Sequence, residues 1–360
     1  MFRSHAPIRR PTHSKSCPHA PARRARHSGR SEESLFDFGF AASLTTTCLV
    51  NGRGGHKIRW MLARRKAIPT VDETLSLFEP AREAADQKKT ARPFGAPGLR
   101  VGTSAFTAAG WESAFYPAGM KPSDYLSYYS SKFNTVEIDS TFYRIPPAMT
   151  VNGWYEKTPP DFIFAAKVPQ IITHEKVLLG CDKEFEEFIG RMGSLGEKLG
   201  PLLLQFPYFN KKAFKSAGEF SARLRQFLLQ TRGMACRFAV EIRNRNWLDA
   251  RFAALLSEYN VALALQDQSW MPRPKELFDR FDPITADFTY VRWLGDRKAI
   301  EERTKTWDKT IIDRREELTE WVDILRKVHK RKIQILAFAN NHYAGYGPAT
   351  AEMFLKLWNR

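Results

Sequence analysis

The sequence lacks the features of a membrane-spanning or disulfide-bonded protein. No apolar run approaches the roughly 18 to 20 residues that a membrane-spanning helix needs. The four cysteines, Cys17, Cys48, Cys181 and Cys236, form no C-x-x-C pair, so neither a zinc site nor a disulfide framework is indicated. We therefore expect no membrane segment and a reducing, cytoplasmic location.

The commonest catalytic signatures are also missing. The sequence contains no G-x-S-x-G nucleophile elbow, no Walker A phosphate loop and no H-E-x-x-H zinc motif. These absences argue against the most frequent serine hydrolase, nucleotide-phosphate and zinc protease interpretations. The first apolar run is not followed by the glycine-rich turn that a doubly wound nucleotide-binding sheet usually shows.

Positive charge is abundant but unevenly distributed. The net charge is +17, and residues 1–100 hold 19 Lys or Arg against 8 Asp or Glu, a net +11. The first residues are rich in Arg, Pro, Ser and His without apolar periodicity, a composition that predicts disorder. We predict a basic, largely disordered extension over residues 1–95 and one folded domain over residues 96–360. A translated upstream region with the native start at Met61, a disordered tail and a targeting or nucleic-acid-binding segment all fit this extension.

The folded part contains eight short apolar runs that alternate with segments of helical spacing. Such alternation is typical of parallel strands that are buried on both faces, and it predicts an α/β fold of the (β/α)8 TIM-barrel type. Irregularity is expected after the second and sixth strands, where the helical segments are short or broken by proline. The runs are residues 98–104, 135–142, 162–168, 201–207, 238–243, 261–267, 288–294 and 333–340.

Polar residues recur near the carboxyl ends of these predicted strands, where TIM barrels build their active sites. Side chains alternate along a strand, so Glu241 and Arg243 share one face of the fifth strand. Buried charges must be paired, hydrated or directed at a ligand. Two explanations therefore stay open, namely a charge-paired plug and a ligand site. The expected inward side chains are Ser104, Glu137, Asp139, Lys167, Gln205, Glu241, Arg243, Asp267, Arg292 and Asn340.

The residue types at this end favour acid–base chemistry on an anion. Lys167, Arg243 and Arg292 supply cations that suit a carboxylate or phosphate. Glu241 and Asp267 are the candidate general acid and base, if their surroundings separate their pKa values.

Residues in the loops that follow the strands extend this set. His174 is a third catalytic candidate, as a proton donor, with packing as the alternative role. Tyr143 and Trp247 are candidates for stacking on a ligand, although such residues also pack loops. Asn340 and Asn341 precede the segment "GYGPATA", whose glycines and backbone N–H groups could cradle a phosphate.

The chain resembles the domain of unknown function 72 (DUF72, YecE-like) family over about residues 99–359. The blocks that carry the resemblance include "VGTS", "FNTVEIDSTFY", "LGPLLLQFP", "AVEIRNRNW", "TADFTYVR" and "NNHYAGYGPATA". The resemblance implies a TIM-type barrel whose biochemical role is unassigned. Asn244 and Leu294 stand where the family often has histidine, and Asp139 stands where asparagine is usual.

These observations predict a barrel enzyme that acts on a small anionic, phosphorylated or carbohydrate-like substrate. The alternatives are a nucleic-acid-binding barrel that resembles repair endonucleases and a ligand-binding protein without catalysis. No cofactor is predicted, but Glu137, Asp139, Glu241 and Asp267 leave a magnesium or manganese ion open. The expected partner is a small anion, with nucleic acid as the alternative and no membrane; the oligomeric state does not follow from the sequence.

Overall fold

The structure is a computed structural model that describes residues 96–360. The predicted basic extension and the candidate start at Met61 lie outside these residues.

Eight parallel strands form the sheet, in the order β1-β8-β7-β6-β5-β4-β3-β2. Each lies within about two residues of an apolar run in the sequence, so the predicted (β/α)8 barrel is confirmed. The strands are β1 (Leu99–Thr103), β2 (Thr135–Ile138), β3 (Ile163–Lys167), β4 (Leu199–Gln205), β5 (Phe238–Glu241), β6 (Ala262–Asp267), β7 (Phe288–Trp293) and β8 (Gln334–Ala339).

Helices follow every strand, and several are short. The segment after β2 begins with a 3-10 turn, Ser140–Phe142. The helix after β6 begins at Pro274, a position that suits proline because an N–H in the first turn would have no partner within the helix. The helices are α1 (Tyr125–Lys132), α2 (Ala148–Glu156), α3 (Asp182–Met192), α4 (Ala217–Gln230), α5 (Ala250–Glu258), α6 (Pro274–Arg280), α7 (Arg297–Glu301), α8 (Arg315–Lys330), α9 (Asn341–Ala344) and α10 (Gly347–Trp358).

Side chains close the barrel between β1 and β2. Asn134 accepts a hydrogen bond from Val101 N (3.1 Å) and donates to Leu99 O (3.2 Å). The Tyr129 hydroxyl accepts from Thr103 N (2.8 Å) and donates to Thr135 O (3.2 Å), as a strand partner would. The two strands approach so closely that only glycine fits at Gly102, where a Cβ atom would lie 2.0 Å from Thr135 O.

The strands bury a different cluster on each face. Small and large apolar side chains fill the barrel interior, among them Ala165, Leu203, Ala239, Ala262 and Tyr290. A larger cluster packs between the strands and the helices. No helix among residues 96–360 is both long and apolar enough to cross a bilayer.

Candidate functional site

A buried ion-paired layer crosses the barrel interior. Arg292, on β7, is 2% exposed, and it donates from Nε to Glu137 Oε2 (2.9 Å) and from Nη2 to Glu137 Oε1 (2.7 Å). Its Nη1 donates to Glu241 Oε2 (2.7 Å), and the Tyr290 hydroxyl donates to Glu137 Oε2 (2.6 Å). Both carboxylates are fully buried. Every nitrogen of the Arg292 guanidinium is therefore paired within the protein.

Glu241 links this layer to the barrel mouth, the end of the barrel at which the carboxyl ends of the strands lie. Arg243 Nη2 lies 2.6 Å from Glu241 Oε1, an ionic contact without hydrogen-bond alignment, and Arg243 Nη1 donates to Gln268 Oε1 (2.6 Å). Burial alone would raise the pKa of Glu241, but the charges of Arg243 and Arg292 outweigh it and lower that pKa to about 2. Glu241 is thus ionised at neutral pH.

Lys167, at the end of β3, forms a second pair at the mouth. Its Nζ lies 2.7 Å from Asp139 Oδ1 and 4.3 Å from the centre of the Phe142 ring. The Lys167 side chain is 8% exposed, whereas the Asp139 side chain is 35% exposed. Water therefore reaches the carboxylate of this pair more readily than its ammonium.

His174 lies in a one-turn π-helix, Ile171–Glu175, that follows β3. Its ring meets Phe142 edge to face, and its Nδ1 lies 2.9 Å from Thr173 Oγ1. Burial lowers the pKa of His174 to about 4, with further contributions from the charges of Lys167 and Arg243. The imidazole is therefore neutral at pH 7.

Three buried polar atoms at the barrel mouth have neither a hydrogen bond nor an ion-pair contact within the described residues. They are Ser104 Oγ after β1, Gln266 Oε1 on β6 and Arg243 Nε after β5. The side-chain amide nitrogen of Gln266, Nε2, donates to Ile242 O (2.8 Å), which leaves Oε1 without a partner. Buried polar groups in proteins are normally satisfied, so these atoms mark a place for a ligand or water.

The expected placement of Asp267 in the mouth is wrong. On β6, Ala262 and Ala264 lie in the inner cluster, and alternation places Gln266 inward and Asp267 on the helix side. Asp267 Oδ2 accepts from Trp321 Nε1 (2.8 Å) and from the Tyr343 hydroxyl (2.8 Å). Asp267 and Glu241 thus lie on opposite faces of the sheet and are not placed to share acid and base roles.

The last loop uses its polar groups to hold itself in shape. Asn340 caps α9 by accepting from His342 N (2.9 Å), and Asn341 Oδ1 accepts from Gly347 N (2.8 Å). Pro348 offers no N–H. The predicted phosphate cradle therefore has its first N–H occupied by Asn341.

The remaining predicted ligand contacts lie around the mouth. Gln205 ends β4 in register with Glu241. Tyr143 projects into solvent with 70% of its surface exposed. Trp247 stacks on Phe220 (ring centroids 5.4 Å apart) and lines a cleft of about 400 Å³ that also touches Arg243.

Sequence reasoning missed Gln266, Tyr290 and most residues of this cleft, although it named Arg243 and Trp247. The signal for Gln266 was present, since the small residues Ala262 and Ala264 alternate with leucines and small side chains suit a narrow barrel interior. Cleft residues such as Tyr208 and Trp270 lie in loops, whose paths no periodicity predicts.

The described residues contain no group of three or more His, Cys, Asp or Glu side chains arranged to hold a metal ion. Glu137 and Glu241 instead share Arg292, and Asp139 contacts Lys167. The carboxylates of Glu137, Asp139 and Glu241, which the sequence offered as ligands for a divalent ion, are thus paired with lysine or arginine.

Comparison with known proteins assigns the family. The model of the family described as "Protein of unknown function DUF72" matches residues 100–360. The chain belongs to the DUF72 family. The DUF72 barrel of Thermotoga maritima is similar, with 24% identity, a TM-score of 0.57 and coverage of 73% of this chain and 99% of that one. A DUF72 protein of Enterococcus faecalis shows 21% identity and a TM-score of 0.56 over 73% and 96% of the two chains.

Curated relatives of this DUF72 chain match over shorter segments. The Bacillus subtilis protein YunF is 34% identical over 151 residues, which are 40% of this chain and 51% of YunF. YecE of Escherichia coli K12 is 39% identical over 82 residues, 23% of this chain and 30% of YecE. The matches thus span about half of YunF and less than a third of YecE.

One departure from the family pattern has a clear structural role. Asn244, where histidine is frequent, accepts from Phe209 N (2.9 Å) and donates to Phe209 O (2.8 Å). It ties the β4 loop to the end of β5 and so fixes the wall of the cleft.

Proposed function

We propose that this DUF72 barrel is an enzyme that binds a small anionic substrate at its mouth and transforms it by acid–base chemistry. The observation that carries the proposal is the set of buried, unpartnered atoms of Ser104, Gln266 and Arg243. Leaving such groups unsatisfied costs about 1–3 kcal/mol each, a cost that a substrate offsets when it pairs with them.

The roles divide by depth in the barrel. Arg292, Glu137 and Tyr290 bond to one another, Arg292 also bonds to Glu241, and together they form the buried floor. Above the floor, Glu241 holds Arg243, whose side chain keeps 17% exposure, and Lys167 lies close enough to influence the pKa of Glu241. Arg243 and Lys167 are the cations that meet the substrate.

His174 is the proton-transfer residue. The Thr173 hydroxyl donates to Pro169 O (3.4 Å), so its oxygen accepts from Nδ1–H of His174 and Nε2 keeps its lone pair. An anion beside Lys167 and Arg243 cancels part of their effect and raises the pKa of His174 toward neutrality. Substrate binding thereby makes His174 a better base. Glu241, held anionic by two arginines, orients Arg243 and carries no proton.

A thermal-shift screen of small anionic metabolites against the full chain tests this function. A ligand at 100 times its Kd stabilises the folded state by about 2.7 kcal/mol. We expect Arg243→Met to remove binding of the hit, and His174→Gln to keep binding but abolish turnover. Unchanged affinity in Arg243→Met, or unchanged turnover in His174→Gln, contradicts the proposal.

A nucleic-acid-binding function is the second candidate, because exposed cations and aromatic rings lie together beside the mouth. Binding to a phosphate backbone weakens steeply with added salt, whereas a pocket anion shows a shallow dependence.

The cytoplasm stays the expected location; the two described cysteines, Cys181 and Cys236, are free thiols.

A further inference from the structure

The cleft beside the mouth is electrostatically one-sided. It lies where β4 and β5 end, and its wall contains Lys211, Lys215, Arg243 and Arg245 but no Asp or Glu among the described residues. Lys211, Lys215 and Arg245 are exposed, and their side chains form no ion pair within residues 96–360. Three unpaired cations beside Arg243, whose own partner Glu241 is buried behind the cleft wall, favour an anionic occupant.

Two aromatic side chains on the same cleft are unusually accessible. Tyr208 is 69% exposed and Trp270 is 47% exposed, and neither ring contacts another ring in the part of the chain that the structure describes. Other tryptophans, such as Trp111, Trp293 and Trp321, are fully buried. Accessible rings next to cations suit a ligand that has a flat π-system.

The rest of the cleft wall consists of stacked aromatic rings and one amide side chain without a hydrogen bond. Trp247 stacks on Phe209 and Phe220, so the aromatic floor is rigid. Asn244 is occupied by the Phe209 backbone, whereas the exposed side chain of Asn246 has no hydrogen bond within residues 96–360. The volume of about 400 Å³ lies within the roughly 300–1,000 Å³ of small-molecule sites.

We propose that this cleft binds a phosphorylated ligand with a planar heteroaromatic ring, the chemical class of the nucleoside 5′-monophosphates. The phosphate pairs with Lys211, Arg245 and the accessible edge of Arg243, and the ring stacks on Trp270 or Tyr208. This inference rests on the proposed function, since Arg243 belongs to both the cleft and the mouth, and it names the substrate class.

Equilibrium dialysis on the full chain with three probes tests the ligand class. The probes are adenosine 5′-monophosphate, which has ring and phosphate, adenosine, which has only the ring, and ribose 5-phosphate, which has only the phosphate. We expect the monophosphate to bind at least about tenfold more tightly than ribose 5-phosphate, since stacking of one base on an aromatic side chain commonly contributes that much. We also expect it to bind more tightly than adenosine, which lacks the phosphate that pairs with the cations.

Exposed residues allow variants that leave the core intact. Trp270→Ala should weaken binding of adenosine 5′-monophosphate about tenfold and leave ribose 5-phosphate unchanged. The double variant Lys211→Gln with Arg245→Gln should weaken both phosphorylated probes and leave adenosine unchanged. Leu229→Ala (42% exposed, on α4) and Lys327→Gln (exposed, on α8) are the matched controls, for which we expect no change.

Each contrary result is distinct. If the two phosphorylated probes bind with equal affinity and Trp270→Ala changes neither, the ring site is overturned but the anion-binding function stands. The same conclusion follows if the chain binds another small anion but not the monophosphate. Equal affinity for adenosine and its monophosphate overturns the phosphate contacts. Binding of a thymidine decanucleotide more than tenfold tighter, with a steep salt dependence, assigns the cleft to single-stranded nucleic acid and overturns the small ligand.

Discussion

Arg292 on β7 and Glu137 on β2 form a two-pronged ion pair across the barrel interior, 2.7 Å at its shortest contact. Four strands, β6, β5, β4 and β3, lie between them in the sheet order, so the pair connects positions that no strand ladder joins. The pair is fully buried, and Glu241 shares the same guanidinium. It therefore behaves as part of the core, which fits a charge-paired plug at this depth, and the ligand site stays a proposal for the mouth above it.

Removing Arg292 should destabilise the fold far more than removing Lys167. Arg292→Met leaves Glu137 and Glu241 buried with fewer partners, which should cost about 3–5 kcal/mol. Lys167→Met leaves Asp139, whose side chain is 35% exposed and open to water, so the cost should stay below about 1 kcal/mol. Urea unfolding of both variants beside the parent measures the difference. Equal losses would show that the two cations occupy equivalent environments.

His174 should titrate with a midpoint near pH 4 in the free protein. Its pKa in the folded state is depressed from 6.5, so protonation favours the unfolded chain, and stability falls as pH decreases from about 6.5 toward 4. NMR titration of the imidazole checks the midpoint, and Lys167→Met should move it upward because a nearby positive charge is lost. A midpoint near 6.5 in the parent would refute the buried, cation-flanked environment.

Asp267 should contribute to stability and not to ligand binding. Asp267 accepts hydrogen bonds from Arg273, Trp321 and Tyr343. Asp267→Asn removes the negative charge and presents donors to groups that are themselves donors, and the expected loss is about 1–3 kcal/mol. Affinity for a mouth ligand should remain within twofold of the parent. Calorimetric titration of the folded variant gives the answer, and a large loss of affinity would return Asp267 to the site.

Two glycine substitutions should change the free energy of unfolding in opposite directions. Gly102→Ala places a Cβ atom 2.0 Å from Thr135 O, a backbone atom that cannot move without shifting β2, so we expect a loss above about 4 kcal/mol or no folded protein. Gly153→Ala, within α2, meets no atom within 4 Å and should add up to about 1 kcal/mol through helix propensity. Thermal melts of both proteins test the pair, with Gly153→Ala controlling for the exchange itself.

The fold was predictable from the sequence because each strand is a short apolar run, and burial on both faces leaves that pattern in the residue order. Glu241, Arg243 and Lys167 were predictable for the same reason, since alternation fixes their direction once the strand is known. Asp267 was placed on the wrong face because a run that is polar at both final positions, "QD", does not show which one points inward. Tyr208 and Trp270 come together only through loop paths, which depend on tertiary contacts such as that of Asn244 with Phe209.

The side-chain closure between β1 and β2 also bears on how the barrel opens. The amide hydrogens of Val101 and Thr103 are protected by Asn134 and the Tyr129 hydroxyl, so their protection from solvent exchange depends on rotamers as well as on backbone geometry. A rotation of Tyr129 frees a strand edge at once, whereas separation of β7 from β8 requires the loss of a continuous ladder. We therefore expect local unfolding to begin at this junction, and hydrogen exchange should show the amides of Val101 and Thr103 exchanging before those of the β7–β8 ladder.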